Sequence, residues 1–265
     1  MRESDARGGE KRKRAVDALC TDPHTPHVLR ALAADWPATR HWTFGQLALL
    51  GPHEPVRLVL GNRECEATRF AHSTFGQYME GLERGDAQAG PVPYLKEFDL
   101  LRRFPVLRQD LRMDGLFPRG AWVWNDVWIG PKGSHTGLHR DLLDNVAVLL
   151  RGRKRFRLAP PGSIEALQAT STKYDRVSVM ATAGLDELRE RAPGLMVHDV
   201  DLEPGDALYT PAGWWHEVSN PEASIFLSGF FGKPLAVSAK WAATLPRHLL
   251  HQAGLWHHGN CVCHS

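Results

Sequence analysis

A chain of 265 residues, 43% hydrophobic and 23% charged, carries enough apolar side chain for one sizeable core. Its formal net charge of +2 is too small to point to a polyanionic partner. No apolar run approaches the roughly 20 residues of a membrane helix, and no apolar signal region opens the sequence. The four cysteines, Cys20, Cys65, Cys261 and Cys263, are too sparse and irregular for a secreted disulfide framework, so the expectation is a cytoplasmic protein in a reducing compartment.

Residues 1–24 should form a disordered basic tail. Met1 to Arg14 contain almost no apolar side chains, and Lys11-Arg-Lys-Arg14 reads as solvated charge before it reads as a nuclear address or a nucleic-acid contact. Thr43 is placed to cap a helix over Phe44 to Leu50 that Gly51 ends, and Ser73 or Thr74 to cap Phe75 to Leu82. Strand-like runs then dominate: Pro55 to Leu60, Ala121 to Ile129, Asn145 to Leu150, Lys154 to Ala159, Met196 to Leu202, Asp206 to Thr210, Glu217 to Asn220 and Ser224 to Phe231. Turn signals such as Glu203-Pro-Gly-Asp206 and Asn220-Pro-Glu-Ala223 separate several of them. Many short strands with tight turns predict a mainly β double-sheet jelly roll with flanking α-helices. Gly162 to Gly194, with a helix over Leu185 to Arg191, reads as an insertion between strands.

The C-terminal residues 235–265 begin with a helical stretch, Ala236 to Gln252. Its Trp241, Leu245, Leu249 and Leu250 suit packing on the barrel or a homodimer contact, although Pro246 argues against one continuous helix. The tail Trp256-His-His-Gly-Asn-Cys-Val-Cys-His264 has the donor chemistry for zinc. Its Cys-x-Cys-His lacks the usual Cys-x2-Cys spacing and any matching second half, which favours a flexible terminus.

The chemistry concentrates on His139 and Asp141. On a strand, residues i and i+2 point to the same face, so this pair can grip one metal while Arg140 points away. With His216, just past Pro-Ala-Gly-Trp-Trp, they have the composition of a 2-His-1-carboxylate Fe(II) site, which leaves positions open for a bidentate co-substrate and O2. Lys154 shares its inward parity with Phe156 and Leu158, and an inward lysine in an apolar strand is costly unless it meets an anion. Trp122 and Trp124, of one parity in a strand, read as core packing rather than as substrate-stacking rings. For Trp214 and Trp215, shielding of the metal and plain packing are both open.

Two blocks of this sequence resemble the metal-binding core of JmjC-type, cupin-fold 2-oxoglutarate oxygenases. One runs from Trp128-Ile-Gly-Pro-Lys-Gly-Ser-His-Thr-Gly-Leu-His139-Arg-Asp141 through Asn145 to Gly152-Arg-Lys154-Arg-Phe. The other is Leu202-Glu-Pro-Gly-Asp-Ala-Leu-Tyr-Thr-Pro-Ala-Gly-Trp-Trp-His216. A weaker likeness extends upstream through Ala33-Ala-Asp-Trp-Pro and Tyr94-Leu-Lys-Glu, so the oxygenase domain is expected over residues 25–234. The nearest look is to the small protein hydroxylases, which include the asparaginyl hydroxylase of hypoxia-inducible factor.

The resemblance implies Fe(II) on His139, Asp141 and His216, with 2-oxoglutarate and O2 as co-substrates. It further implies Lys154 on the far carboxylate of 2-oxoglutarate, with Thr136, Asn145 and Tyr94 assisting, and an insertion that lines the substrate entrance. Where such hydroxylases often carry an amide after the second histidine, this chain has Ser228, and no role is carried over to it. The implied reaction is hydroxylation of a C–H bond on a protein or peptide side chain, releasing succinate and CO2. A free amino acid, a natural product, a tRNA base or an N-methyl group to be demethylated are rival substrates. A non-catalytic metal-binding cupin module is the rival of a different class.

Overall fold

Period-two burial organises the chain into two facing antiparallel sheets. The structure, a computed structural model, describes residues 22–86, 90–113 and 116–264. The basic tail expected over Met1 to Arg14, and Cys20, lie outside the described residues.

The strands in chain order are β1 (His27–Leu29), β2 (Pro55–Leu60), β3 (Phe70–Thr74), β4 (Pro93–Phe98), β5 (Trp122–Gly130), β6 (His135–Asp141) and β7 (Asp144–Arg151), then β8 (Lys154–Ala159), β9 (Ser178–Met180), β10 (His198–Leu202), β11 (Ala207–Thr210), β12 (Trp215–Ser219) and β13 (Ser224–Gly232). The larger sheet runs β1-β11-β7-β13-β5-β4-β2-β3 and the smaller β10-β8-β12-β6-β9. This is the mainly β, cupin-type jelly roll expected, with helices on its outside.

Strand β7 shows how one sequence run serves both faces of the large sheet. Val146, Val148 and Leu150 point outward into a core shared with Trp36, Leu47, Phe75 and Met79. Ala147 and Leu149 point inward, against Phe156, Leu158 and Phe226. Covered on both sides, the strand is apolar throughout rather than alternating. The outer cover is local sequence made rigid. Thr43 and Gln46 form a reciprocal capping box on the helix Phe44–Leu50, and Thr74 caps Phe75–Arg84, which Gly85 closes in the left-handed conformation. Gly152, at φ 78°, turns β7 into β8; a Cβ there would lie 1.9 Å from the Ala223 carbonyl oxygen, so only glycine fits.

Three expectations are corrected. Trp122 and Trp124 are not core residues, and Trp124 is 38% exposed. Their shared parity is real, but in β5 the outward face belongs to Val127 and Ile129, which puts Trp124, Asp126 and Trp128 on the cavity side. Pro246 does not divide the C-terminal helix, which runs unbroken over Pro234–Gln252. Of the residues expected to pack on the barrel or to mediate a homodimer contact, Trp241 packs, with Val237 and His251 beside it on the helix, while Leu245, Leu249 and Leu250 are exposed. Trp241 lies 6.3 Å from Trp124 and under the Arg176 guanidinium. The terminus expected to be flexible also packs, with Cys261 and Val262 buried. Among the described residues, no helix is long and apolar enough to cross a membrane.

Candidate metal centre

His139 and Asp141 end strand β6, and His216 lies directly opposite His139 on β12. The i, i+2 parity and this register bring two imidazoles and one carboxylate together inside the barrel, their donor atoms all within 4.8 Å of one another. Nε2 of His139 is 3.8 Å from Oδ1 of Asp141, and Nε2 of His216 is 3.6 Å from Oδ2.

Each histidine has its other nitrogen committed. His139 Nδ1 donates to the Gly137 carbonyl at 2.7 Å, and His216 Nδ1 donates to the Trp214 carbonyl at 3.1 Å. These bonds fix the tautomer that leaves both Nε2 lone pairs facing the carboxylate. Burial, with the His139 ring beside it, pushes His216 down to about 4, so the imidazole stays neutral and ligand-competent through ordinary pH.

Asp141 is held from the side by Ser178, whose hydroxyl donates to Oδ1 at 2.7 Å. Ser178 comes from β9, inside the 162–194 insertion, and pairs in register with Asp141. No sequence motif marked it. Removing this bond in Ser178→Ala should weaken Fe(II) binding about tenfold or more, read by anaerobic equilibrium titration.

The opposite end of the same cavity, whose volume is about 400 Å³, is cationic. Lys154 is 1% exposed, and its Nζ donates to the Tyr94 hydroxyl and to Oδ1 of Asn220, each at 2.8 Å. Both acceptors are neutral, and no carboxylate of the described residues pairs with the ammonium. Burial, with the Lys96 charge nearby, holds its pKa well below the usual lysine value. One ammonium proton is left for a ligand. Asn220 also went unmarked in the sequence; its amide nitrogen reaches the Gly130 and Pro131 carbonyls at 3.4 Å, which turns its oxygen toward Lys154. Tyr94, the residue with the least sequence support, lies at the centre of this pole, with Thr136 as its hydroxyl partner. Asn145 donates to Ser228 Oγ at 2.8 Å, so the serine orients an amide on the neighbouring strand.

A second buried charge cluster braces the site. Glu64 accepts from Lys96 Nζ at 2.9 and 3.0 Å, from Arg63 at 3.2 Å and from the Gly137 amide at 3.2 Å. Gly137 is the residue whose carbonyl fixes His139, so the cluster bears on His139 through one residue. Arg63 also pairs with Glu97. Burial pushes the Glu64 carboxyl up, but Lys96 and Arg63 outweigh it and hold it at about 2, below its ordinary 4.5. Its stabilising contribution is therefore complete above pH 4.5 and fades as the pH falls toward 2. Glu64→Ala, which leaves Lys96 buried without its anion, should cost about 3–5 kcal/mol in urea unfolding at neutral pH.

The sequence matches the cupin-like domain family over residues 14–236. The chain belongs to this JmjC-type, cupin-like family. Among its relatives, lysine-specific demethylase JMJ30 of Arabidopsis thaliana is 29% identical over 212 residues, which is 78% of this chain and 49% of that protein. HSPB1-associated protein 1 homolog of Danio rerio is 26% identical over 239 residues, 80% of this chain and 51% of that one. Jumonji C domain-containing protein 5 of Drosophila melanogaster is 23% identical over 230 residues, 79% and 55% of the two chains. The chain thus spans about half the length of the curated relatives it matches. Members of the cupin-like family include Fe(II)- and 2-oxoglutarate-dependent oxygenases, demethylases and hydroxylases among them. The donor set on β6 and β12 could hold a metal ion, and the ammonium of Lys154 could meet an anion.

Proposed function

We propose that this protein is an Fe(II)- and 2-oxoglutarate-dependent oxygenase that hydroxylates a C–H bond on a protein or peptide side chain. The observation that carries this reading is one cavity with an open two-histidine, one-carboxylate donor set at one end and an unpaired buried ammonium at the other. Bound iron and 2-oxoglutarate supply the oxidising chemistry, in which O2 gives one oxygen atom to the C–H bond and one to the succinate formed as CO2 leaves.

The chain's own residues hold and orient. His139, Asp141 and His216 would keep the metal on one wall, each donor fixed by a hydrogen bond made elsewhere. Lys154 and the Tyr94 hydroxyl would take the far carboxylate, with Asn220 accepting from the ammonium to hold it in place and Thr136 and Asn145 assisting. Apolar Phe156, Val218 and Phe226 dry the space between. Trp214 and Trp215 are buried and turn their indole nitrogens away, to the His24 carbonyl and to Glu165. They serve the ligand strand by packing.

The outer cavity supports a side-chain substrate. Trp124, Trp128 and Trp241 line it together with Asp126, Asp175 and Arg176, a mixed aromatic and charged wall that suits contact with a peptide side chain. An N-methylated lysine is the second reading, favoured by the demethylase names among the relatives; hydroxylation of its methyl group would release formaldehyde. A free amino acid and a tRNA base are rivals that the same assay ranks, and a natural product is a further rival.

The test is incubation of peptide, amino-acid and RNA pools with the protein, Fe(II), 2-oxoglutarate and O2, followed by mass spectrometry. An oxygen added to a peptide, absent with Asp141→Ala, supports hydroxylation, and a lost methyl with formaldehyde selects the demethylase. Tight iron binding without any co-substrate-dependent product from the three pools would point instead to a metal-binding cupin module.

A further inference from the structure

We propose a second metal centre in the C-terminal segment: a closed Cys2His2 zinc site formed by Nε2 of His251, Sγ of Cys261, Sγ of Cys263 and Nδ1 of His264. The matching half that the tail lacks in sequence is supplied by the helix before it. His251, in the last turn of Pro234–Gln252, is completely buried, and the chain returns to it past Gly254 and Gly259.

The four donor atoms all lie within 4.8 Å of one another. His251 Nε2 is 3.1 Å from Cys263 Sγ, and His264 Nδ1 is 3.4 Å from Cys261 Sγ and 3.5 Å from Cys263 Sγ. The Trp256 carbonyl, 2.6 Å from His251 Nδ1, fixes the tautomer that aims Nε2 at the thiols. Two thiols and two imidazoles, with no carboxylate and no open position, are the donors of a tetrahedral structural zinc. The β6–β12 triad, harder and open on one side, suits a different ion.

Packing alone gives a weak account of this arrangement. Residues 252–260 are exposed throughout, and the chain then turns inward at Cys261 and Val262. A loop with so little apolar side chain to bury needs a staple, and bound metal is one.

The staple would reach the cavity. Tyr174 of the insertion donates its amide to the Asn260 carbonyl at 2.8 Å, and Val262 donates back to the Tyr174 carbonyl at 3.1 Å. The Tyr174 ring lies 4.2 Å from that of His251, while Val262 and Cys263 form part of the cavity wall. Four residues beyond Tyr174 is Ser178, the partner of Asp141. Zinc would thus tie the tail to the segment that orients the carboxylate ligand of the first site, and it stands whether or not that site is an oxygenase.

The test is elemental analysis of the whole protein, purified under reducing conditions without a metal-affinity tag and reconstituted with a slight excess of zinc before desalting. Roughly one zinc per chain should remain in Asp141→Ala and be lost when the Cys261→Ser, Cys263→Ser double change is added to that variant. A readout independent of how the cysteine variants fold is Co(II) bound to Asp141→Ala, where thiolate-to-cobalt charge-transfer bands with intense tetrahedral d–d bands are expected. Zinc retained at the same level after that double change, no retained zinc in Asp141→Ala, or cobalt spectra without thiolate bands would each overturn the assignment. Iron in place of zinc at these cysteines would overturn the choice of metal.

Discussion

Asp141→Ala should give a folded protein that binds Fe(II) too weakly to form the visible charge-transfer band of an iron–2-oxoglutarate chelate under anaerobic conditions. Asp141 contributes the only negative charge of the donor set, because a histidine binds a metal as the neutral imidazole. Loss of an outer partner such as Ser178 costs roughly 10–100-fold in metal affinity, and loss of the anionic ligand itself should exceed that. The fold should survive, because Asp141 stands at the end of β6 and, among the described residues, its side chain is held by a hydrogen bond from Ser178. Thermal unfolding separates the outcomes: wild-type melting without the band supports the assignment, whereas a band of wild-type intensity in the variant would remove Asp141 from the site. His216→Ala should lose the band too, but with some loss of stability, since that ring is buried against Phe156.

The triad was legible in the sequence because its signal is local. His-x-Asp needs only strand parity, and the Pro-Ala-Gly-Trp-Trp turn places His216 at the start of the next ligand strand. Lys154 was legible for the same reason, since its parity with Phe156 and Leu158 turns it inward. The partners that complete the site were not, because each is defined by a contact across the fold. Ser178 looks like any serine until β9 pairs with β6, and Asn220 looks like a turn residue until its oxygen meets Lys154. Glu64 and Lys96 lie in ordinary polar contexts, and only the approach of β4 and the loop after β2 to Gly137 makes them a buried pair. Parity also misleads where the face is unknown. Trp122 and Trp124 do share a side of β5, but the outward side was already taken by Val127 and Ile129. His251 belongs to a helix, so a search of the tail for its own metal partner fails by construction.

Lys154→Met should separate co-substrate affinity from stability in opposite directions. The ammonium has two neutral acceptors and no anion, and burial has already lowered its pKa, so the folded state disfavours its charged form at neutral pH. That cost applies wherever an unfolded lysine would be protonated, below about pH 10.5, and disappears above it. A methionine of similar length removes the cost, and the protein without co-substrate should be as stable as wild type or more so at neutral pH. The same change deletes the charge proposed to meet the far carboxylate of 2-oxoglutarate. A hydrogen bond to a charged group contributes about 1.5–3 kcal/mol, which corresponds to a loss of more than tenfold in 2-oxoglutarate affinity. Fe(II) affinity measured without 2-oxoglutarate should hardly move, because Lys154 makes no contact with the triad, and Lys154→Ala should behave alike in binding while losing the packing benefit. Equal 2-oxoglutarate binding by wild type and Lys154→Met would place the far carboxylate elsewhere. Lower stability without co-substrate would mean that Lys154 braces Tyr94 and Asn220 as a structural hub.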